Sequence, residues 1–403
     1  MASVAEGNMK YILVFAGSRS QYDFYNRLSR PLALLGYELI YLTVKPSLFI
    51  KAKRDGFKCH LVPNSRSSAI PPELSETTEV ASQQVSSETA AKFFNGTLET
   101  AENCFSNGSI SNVFIWNGHS IPSRALTKFA QAHALHTLYF ELSNIPGKIF
   151  VDKAGVNARS SLFNNPEQLD SYQINSGEYE RWQKAYVALS RERVLSQTAR
   201  EKGSVNNFLF PLDSVGAWFG LPTVGEMNLI AKTRSKLLDQ KKGMSYDTID
   251  LAKTPYVFFP MQVSDDSQLL FNTGVGLGDA LEIASRRSRE LGVDLIIKPH
   301  PVEENEKAIL QLNEIRKQGR TFIVNDSTIR LIESCREVIT INSTVGLEAM
   351  ILGKPVTFLG RTFYGTFNDE RMKKYILRYL INIDYFGTGE ISVDTMKEVI
   401  SRL

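Results

Sequence analysis

Three short stretches carry residue types that could do chemistry together. The first, Phe258–Gln268, reads FFPMQVSDDSQ: an apolar run ends and Asp265 and Asp266 follow side by side. A carboxylate just past a buried strand can act as a nucleophile, a base or a metal ligand, or it can cap the next helix. The second, Lys298-Pro299-His300-Pro301, ends the apolar run LIIK. Proline at both flanks of the histidine disfavours helix and holds the chain extended, as a rigid turn or as a mount for two phosphate donors, Lys298 and His300. The third is ITINSTVGLEAMILGKP, Ile339–Pro355. An apolar strand runs into Asn342, Ser343 and Thr344, Gly346 allows close approach of a ligand, and an apolar-faced helix follows. Hydroxyls and free amides at a helix start bind anions, and Glu348, one turn in, can accept hydrogen bonds from a ribose.

Elements must bring these stretches together. In the first half, YILVFA at Tyr11–Ala16 and LIYL at Leu39–Leu42 predict strands around a helix carrying Phe24, Leu28, Leu32 and Leu35. Strand patterns return at VFIW and TLYF, with a helix over Ser123–Ala134 between them. Residues 63–88 are rich in Ser, Thr, Glu and Pro and read as a long surface excursion. A less regular region runs from Gly147 to Phe219, and Glu226–Lys242 reads as helix. After Pro255 the pattern restarts, with strands at Tyr256–Phe259, Leu295–Lys298, Phe322–Val324, Val338–Ile341 and Val356–Leu359. Alternating strands and helices in both halves predict an α/β protein of two doubly wound Rossmann-like domains, 1–245 and 246–403, facing a central cleft, with the last helix free to pack back on the first domain.

Composition narrows the function classes. The chain has 403 residues, with 46 Lys plus Arg against 43 Asp plus Glu, a net charge of +3 that gives no support to nucleic-acid binding. Three widely spaced cysteines argue for a reducing compartment. The N-terminus shows no signal-peptide core and no run approaches a membrane span, so a cytoplasmic protein is expected, with a peripheral place on the inner membrane left open. The stretch RMKKYILRY, Arg371–Tyr379, interleaves basic and apolar residues as a lipid-resting helix would, or as an ordinary core-facing helix would. No cluster has metal-ligand spacing, and there is no Walker loop and no GxGxxG. Neither a metal nor a bound cofactor is expected.

FFPMQVSDDSQ, KPHP and TINSTVGLEAMILGKPVTFLGRTFYG, in that order and spacing, resemble the bacterial capsule-polysaccharide synthesis family, the β-Kdo transferases of the KpsC, KpsS and WbbB type. WNGHSIPSRAL and FELSNIPGKIFVDKAGVNARSSL in the first half resemble it too, so the likeness runs roughly from Asn112 to Gly365. The resemblance implies a GT-B architecture, a CMP-β-Kdo donor and transfer with retention. Its Gln-x-x-x-Asp motif falls on Gln262 and Asp266, which makes Asp266 the candidate nucleophile, and its His-Pro motif falls on His300, implying contact with the CMP phosphate. The hydroxyl-rich loop falls on Ser343 and Thr344. Some relatives carry Asn where Asp265 stands, so either aspartate can hold the role.

Retention through a covalent adduct needs a carboxylate facing the anomeric carbon, and a second group to take the acceptor proton. Glu141, just after TLYF, is the expected base, and Asn117, His119, Arg124, Asn144 and Lys148 are expected to line the acceptor or the Kdo carboxylate. The expected partners are CMP-Kdo and a glycan or glycolipid acceptor. Two other readings stay open: another nucleotide-sugar enzyme, sialyltransferase-like or an epimerase, and a non-catalytic polysaccharide assembly protein.

Overall fold

The computed structural model describes residues 9–105, 110–143, 145–200, 213, 220–222, 245–262, 271, 273–300 and 306–403. They divide into two compact units. Residues 9–168 and 378–403 form the first, and residues 169–200 and 245–377 form the second. A single cut at 245 therefore misplaces two segments. Residues 169–200 go with the second unit because Arg371 forks onto both oxygens of Asp170 (2.9 and 2.6 Å), and because Gln183 donates to the Ile351 carbonyl. The last stretch goes with the first unit, where Ile149 and Ile381 exchange backbone hydrogen bonds at 2.9 and 3.0 Å.

The first unit is built on a six-stranded sheet. Its strands are β1 (Lys10–Phe15), β2 (Tyr37–Thr43), β3 (Lys58–Leu61), β4 (Ile110–Trp116), β5 (His136–Leu142) and β6 (Ile149–Asp152), in the order β3-β2-β1-β4-β5-β6. All neighbours are parallel except β6, which runs antiparallel to β5. Parallel strands are covered on both faces, and Ile12, Leu13 and Val14 are accordingly all fully buried. The helices are α1 (Arg19–Leu34), α2 (Pro46–Arg54), the single turn α3 (Thr78–Ala81), α4 (Ser87–Phe105), α5 (Ile121–Ala132) and the single turn α6 (Ser161–Asn164). Ser18 caps α1 by accepting from the Gln21 N–H, and Ser120 caps α5 by accepting from the Ser123 N–H.

Strands β3 and β6 lie outside the expected set. The first, KCHL, buries only Cys59 fully and so shows no apolar run, and β6 falls inside the region that read as irregular. Residues 63–88 are also no loose excursion. They hold a 3₁₀ turn at Pro72–Glu76 and α3, and α4 lies directly on them. A Cβ on Gly96 would stand 1.9 Å from the Pro63 carbonyl oxygen, and the Asn95 amide donates to the carbonyls of Ser67 and Ala69.

Asp152, at the end of β6, is a buried hub. It accepts from the N–H groups of Ala154, Gly155 and Ser161, from the Ser161 hydroxyl at 2.6 Å and from the Tyr379 hydroxyl at 2.8 Å. The VDKAGVNARSS stretch thus owes its polar residues to a folded turn that anchors the returning chain. A carboxylate this deep is tolerable because its lone pairs are filled.

The second unit carries α7 (Glu178–Arg200), β7 (Tyr256–Pro260), α8 (Leu277–Glu290), β8 (Asp294–Lys298), α9 (Glu306–Lys317), β9 (Thr321–Ile323), α10 (Thr328–Ser334), β10 (Glu337–Thr340), α11 (Thr344–Ile351), β11 (Val356–Phe358) and α12 (Asp369–Lys374). Its sheet is wholly parallel, in the order β11-β10-β7-β8-β9. The last helix, α13 (Val393–Ile400), sends Met396 and Val399 into the core of the first unit beside Ile12 and Tyr25. The helix expected over Glu226–Lys242 lies outside the described residues. Arg371–Tyr379 is no free amphipathic surface: Met372, Tyr375, Ile376 and Tyr379 are buried. Lys373 and Lys374 pair with Asp369 (2.6 Å) and Glu370 (2.8 Å). An apolar face spent on the core cannot also enter lipid. Among the described residues no helix is long and apolar enough to cross a membrane.

Candidate active site

In a doubly wound sheet the strand order reverses at one place, and the crevice beyond the carboxyl ends of the two strands there is where ligands bind. In the second unit that place lies between β7 and β10. The side-chain amide of Gln262, just past β7, donates to the Asn342 Oδ1 at 2.9 Å, and its carbonyl accepts from the Asn342 N–H at 3.2 Å. Both residues are buried. The two amides clasp the strand ends at the reversal point.

Three of the stretches picked from sequence converge here, because β8 and β10 are the two neighbours of β7. Lys298 ends β8 with a half-buried side chain whose ammonium donates to the Thr328 hydroxyl at 2.8 Å. Burial lowers its hold on a proton, against the pull of Glu348 and Asp326. His300, two residues on, is exposed. Ser343 caps α11 by accepting from the Val345 N–H at 3.2 Å, and Thr344 opens the helix with an exposed side chain. The Glu348 carboxyl is pushed up to about 7 by burial, with Lys298 opposing.

Gly346 does something other than admit a ligand. A Cβ there would stand 2.3 and 2.6 Å from the Phe358 ring. The close approach it permits is that of its own neighbouring strand. Asp265 and Asp266 lie outside the described residues.

In the first unit the reversal lies between β1 and β4. A cavity of about 260 Å³ opens at that place. The caps of α1 and α5, Ser18 and Ser120, line it with Gln21, Lys45, Glu79 and Trp116. Glu79 approaches the Ile121 N–H with both oxygens at 3.3 Å. Burial raises its carboxyl, and the N–H groups of Glu79 and Ile121 work against that. Glu79 went unnoticed in sequence because it sits in the polar 63–88 stretch, in the first turn of the single-turn helix α3. Asp213 lines the same cavity and caps α2 by accepting from the Ser47 N–H and hydroxyl at 2.9 and 2.8 Å.

The expected first-unit residues divide into two groups. Asn117 follows β4 with a positive φ of 63°, and its amide donates to Glu141, at the end of β5, at 2.6 Å. A left-handed turn, which Asn tolerates, is what aims one side chain at the next strand. His119 and Arg124 lie deeper. His119 is 1 % exposed, and burial, helped by Arg159 and Arg124, pushes it down to about 4. Arg124 pairs with Glu76 at 2.5 Å, and Arg159 meets the same carboxylate at 3.0 Å. This partly exposed charge network fastens the 3₁₀ turn to α5 through Arg124. Lys148 lies in the turn between β5 and β6, where its carbonyl accepts from the Ser143 hydroxyl at 2.8 Å. Asn144 is outside the described residues.

Two doubly wound units in one chain, each with its polar groups at the sheet's reversal point, define a GT-B type α/β protein. Residues 112–367 match the family described as capsule polysaccharide biosynthesis protein, and the chain belongs to that family. It is 32 % identical over 124 residues to Protein FixF of Sinorhizobium fredii, a stretch that is 30 % of this chain and only 29 % of FixF. Two solved structures of Thermosulfurimonas dismutans KpsC are similar to it, each at 14 % identity over 98 % of this chain. The β-Kdo 2,7-transferase aligns over 100 % of its own length with a TM-score of 0.45, and the β-Kdo 2,4-transferase over 99 % with a TM-score of 0.47.

Proposed function

We propose that this protein is a retaining glycosyltransferase that moves Kdo from CMP-β-Kdo to a surface-glycan acceptor, a capsule linker or an O-antigen. The observation that best supports the reading is the second unit's crevice. The clasped Gln262 and Asn342, the Lys298 end of β8 and the start of α11 occupy adjacent strand ends in a chain of the capsule biosynthesis family. Lys298, His300 and the N–H groups at the start of α11 supply a positive field for the CMP phosphate, and Glu348 a partner for the ribose. With that field built from the chain's own groups, transfer needs no metal.

The chemistry balances as a double displacement. The Asp266 carboxylate bonds to the anomeric carbon while the bond from that carbon to the CMP phosphate oxygen breaks, and CMP leaves with the electron pair. The acceptor hydroxyl oxygen then bonds to the same carbon, the bond to Asp266 breaks, and Glu141 takes the hydroxyl proton. Two inversions give retention. Asn117, by donating to Glu141, holds the base in place, and the first unit's cavity takes the end of the acceptor.

Mass spectrometry of the protein after exposure to CMP-Kdo tests the scheme. A Kdo adduct on the Asp266 peptide is expected, absent from Asp266→Asn, which should still bind CMP. Active transfer with no adduct in rapidly quenched samples would remove the covalent step. Failure to bind CMP at all would remove the donor assignment.

A further inference from the structure

Two carboxylates inside the first unit are served very differently by the fold. Asp152 takes five donors, the N–H groups of Ala154, Gly155 and Ser161 and the hydroxyls of Ser161 and Tyr379. Glu79 meets only N–H groups among the described residues, its own and that of Ile121, and both of its oxygens share the latter at 3.3 Å. A good N–H···O bond is about 2.9–3.0 Å long, and an ionised carboxylate offers about four lone-pair sites. Glu79 therefore keeps most of its accepting capacity, although burial already raises its carboxyl. A shielded polar group with capacity to spare is costly to a fold and calls for a reason.

Its position supplies one. The helix turn α3, which carries Glu79, is fastened to the loop between β4 and α5, where the Thr78 N–H donates to the His119 carbonyl at 2.8 Å. The carboxyl lines the first unit's cavity, together with Ser18, Gln21 and Ser120 and the apolar side chains of Phe93 and Leu221. The Ser123 hydroxyl donates to the Trp116 carbonyl at 2.8 Å, so the Ser120 hydroxyl, 2.8 Å from it, has a proton of its own to give. Gln21 spends its side-chain carbonyl on the Gly17 N–H at 2.8 Å, and the group it has left to offer is its NH₂. One strong acceptor, donors from two helix starts and an apolar wall match a polyhydroxylated ring, whose hydroxyls each give and take a proton. The size fits a single ring: about 260 Å³ lies just below the roughly 300–1,000 Å³ of pockets that enclose drug-sized ligands. The same loop also serves the proposed base. Trp116, a wall of the cavity, is followed by Asn117, whose amide holds Glu141.

We propose that Glu79 is a specificity-determining residue of the acceptor site, accepting hydrogen bonds from the hydroxyl groups of a single sugar ring seated in this cavity. The inference rests on the glycosyltransferase reading for the word acceptor; recognition of the ring's hydroxyls by Glu79 does not depend on the donor.

Saturation-transfer NMR without donor tests it, on wild type, Glu79→Gln and Glu79→Ala. The probes are methyl glucoside, methyl galactoside and methyl mannoside, and the monodeoxy analogues of whichever binds best. At least one hexoside should bind wild type, and Glu79→Ala should bind it roughly tenfold or more weakly, the scale of a lost hydrogen bond to a charged group. Removing the contacted hydroxyl should weaken binding to wild type but not weaken it again in Glu79→Ala. A residue that only braces α3 would leave the cost of that deoxygenation the same in both proteins. Glu79→Gln, which keeps the shape and an acceptor for the Ile121 N–H, repeats the comparison should the alanine variant unfold. No hexoside binding to wild type, equal binding by the variants, or an equal deoxygenation cost throughout would overturn the assignment. CMP binding is read on the same wild-type sample: its absence beside an intact hydroxyl effect strikes the donor reading alone.

Discussion

Gln262 and Asn342 stand 80 positions apart in the chain and hold each other by two amide hydrogen bonds, 2.9 and 3.2 Å long, at the point where the second sheet reverses its order. Each lies just past the carboxyl end of its strand, β7 or β10. The clasp fixes the ends of both strands relative to each other, and with them the hydroxyls of Ser343 and Thr344 that follow Asn342. A glutamine whose sequence context suggests direct contact with a nucleotide thus also has a structural duty, with its amide group engaged inside the protein.

Breaking that clasp should show coupling. Gln262→Leu and Asn342→Leu each leave a buried amide without its partner and should each cost ~1–3 kcal/mol in denaturant unfolding. The double variant should cost less than the sum, because the side-chain bond between the two amides is lost only once, while the Asn342 backbone N–H loses its acceptor in both Gln262→Leu and the double variant. Strict additivity would mean that the two amides act independently.

Gly346→Ala should destabilise the second unit by ~1–3 kcal/mol, since the new methyl overlaps the Phe358 ring and cores tolerate overpacking poorly. Phe358→Leu in the same chain should recover most of that loss. Thermal unfolding of the three variants decides it: no recovery means that the strain falls on the backbone instead.

The Glu348 carboxyl, raised from 4.5 to about 7 by burial, favours the protonated form in the fold. Its contribution to stability is fully present below pH 4.5 and is lost as the pH rises through about 7. Above that point a second negative charge faces the proposed phosphate site. CMP affinity should therefore fall across pH 6 to 8 more steeply in wild type than in Glu348→Gln, the comparison cancelling the titration of CMP itself. Calorimetric titrations that give parallel curves would place Glu348 away from the phosphate.

His119 titrates with the opposite sign. Burial lowers it from 6.5 to about 4, so its contribution is intact above pH 6.5 and is lost as the pH falls toward 4. The shift corresponds to roughly 3 kcal/mol across that window. Urea unfolding at pH 7 and pH 4.5 should show a smaller acid loss in His119→Gln than in wild type. An equal loss would assign the acid sensitivity to other groups.

Much of the architecture is legible from local pattern. The runs YILVFA, LIYL, VFIW, TLYF and YVFF are apolar throughout because a central parallel strand is covered on both faces, and each falls on a strand of the structure. Helix starts follow from Ser18, Ser120 and Ser343, whose hydroxyls cap the N–H groups that a helix leaves open. The resemblance in KPHP, FFPMQ and NSTVG marked three strand ends, and the parallel order β10-β7-β8 brings those ends together.

What local pattern cannot carry is partnership between distant residues. Nothing near Gln262 announces Asn342, and nothing near Gly346 announces the Phe358 ring that takes the space a side chain would fill. The 63–88 stretch looks like solvent-exposed chain because its polar residues are paired only after α4 lies down on it. Residues 378–403 follow the second unit in sequence and belong to the first in space, through Tyr379 on Asp152 and Ile381 on Ile149. Hydrophobic periodicity is written into each segment because every residue must satisfy its own burial. The choice of partner is a property of pairs brought together only by folding, and that is why the strands could be read from the chain while the clasp and the charge network at Glu76 appear only in the tertiary structure.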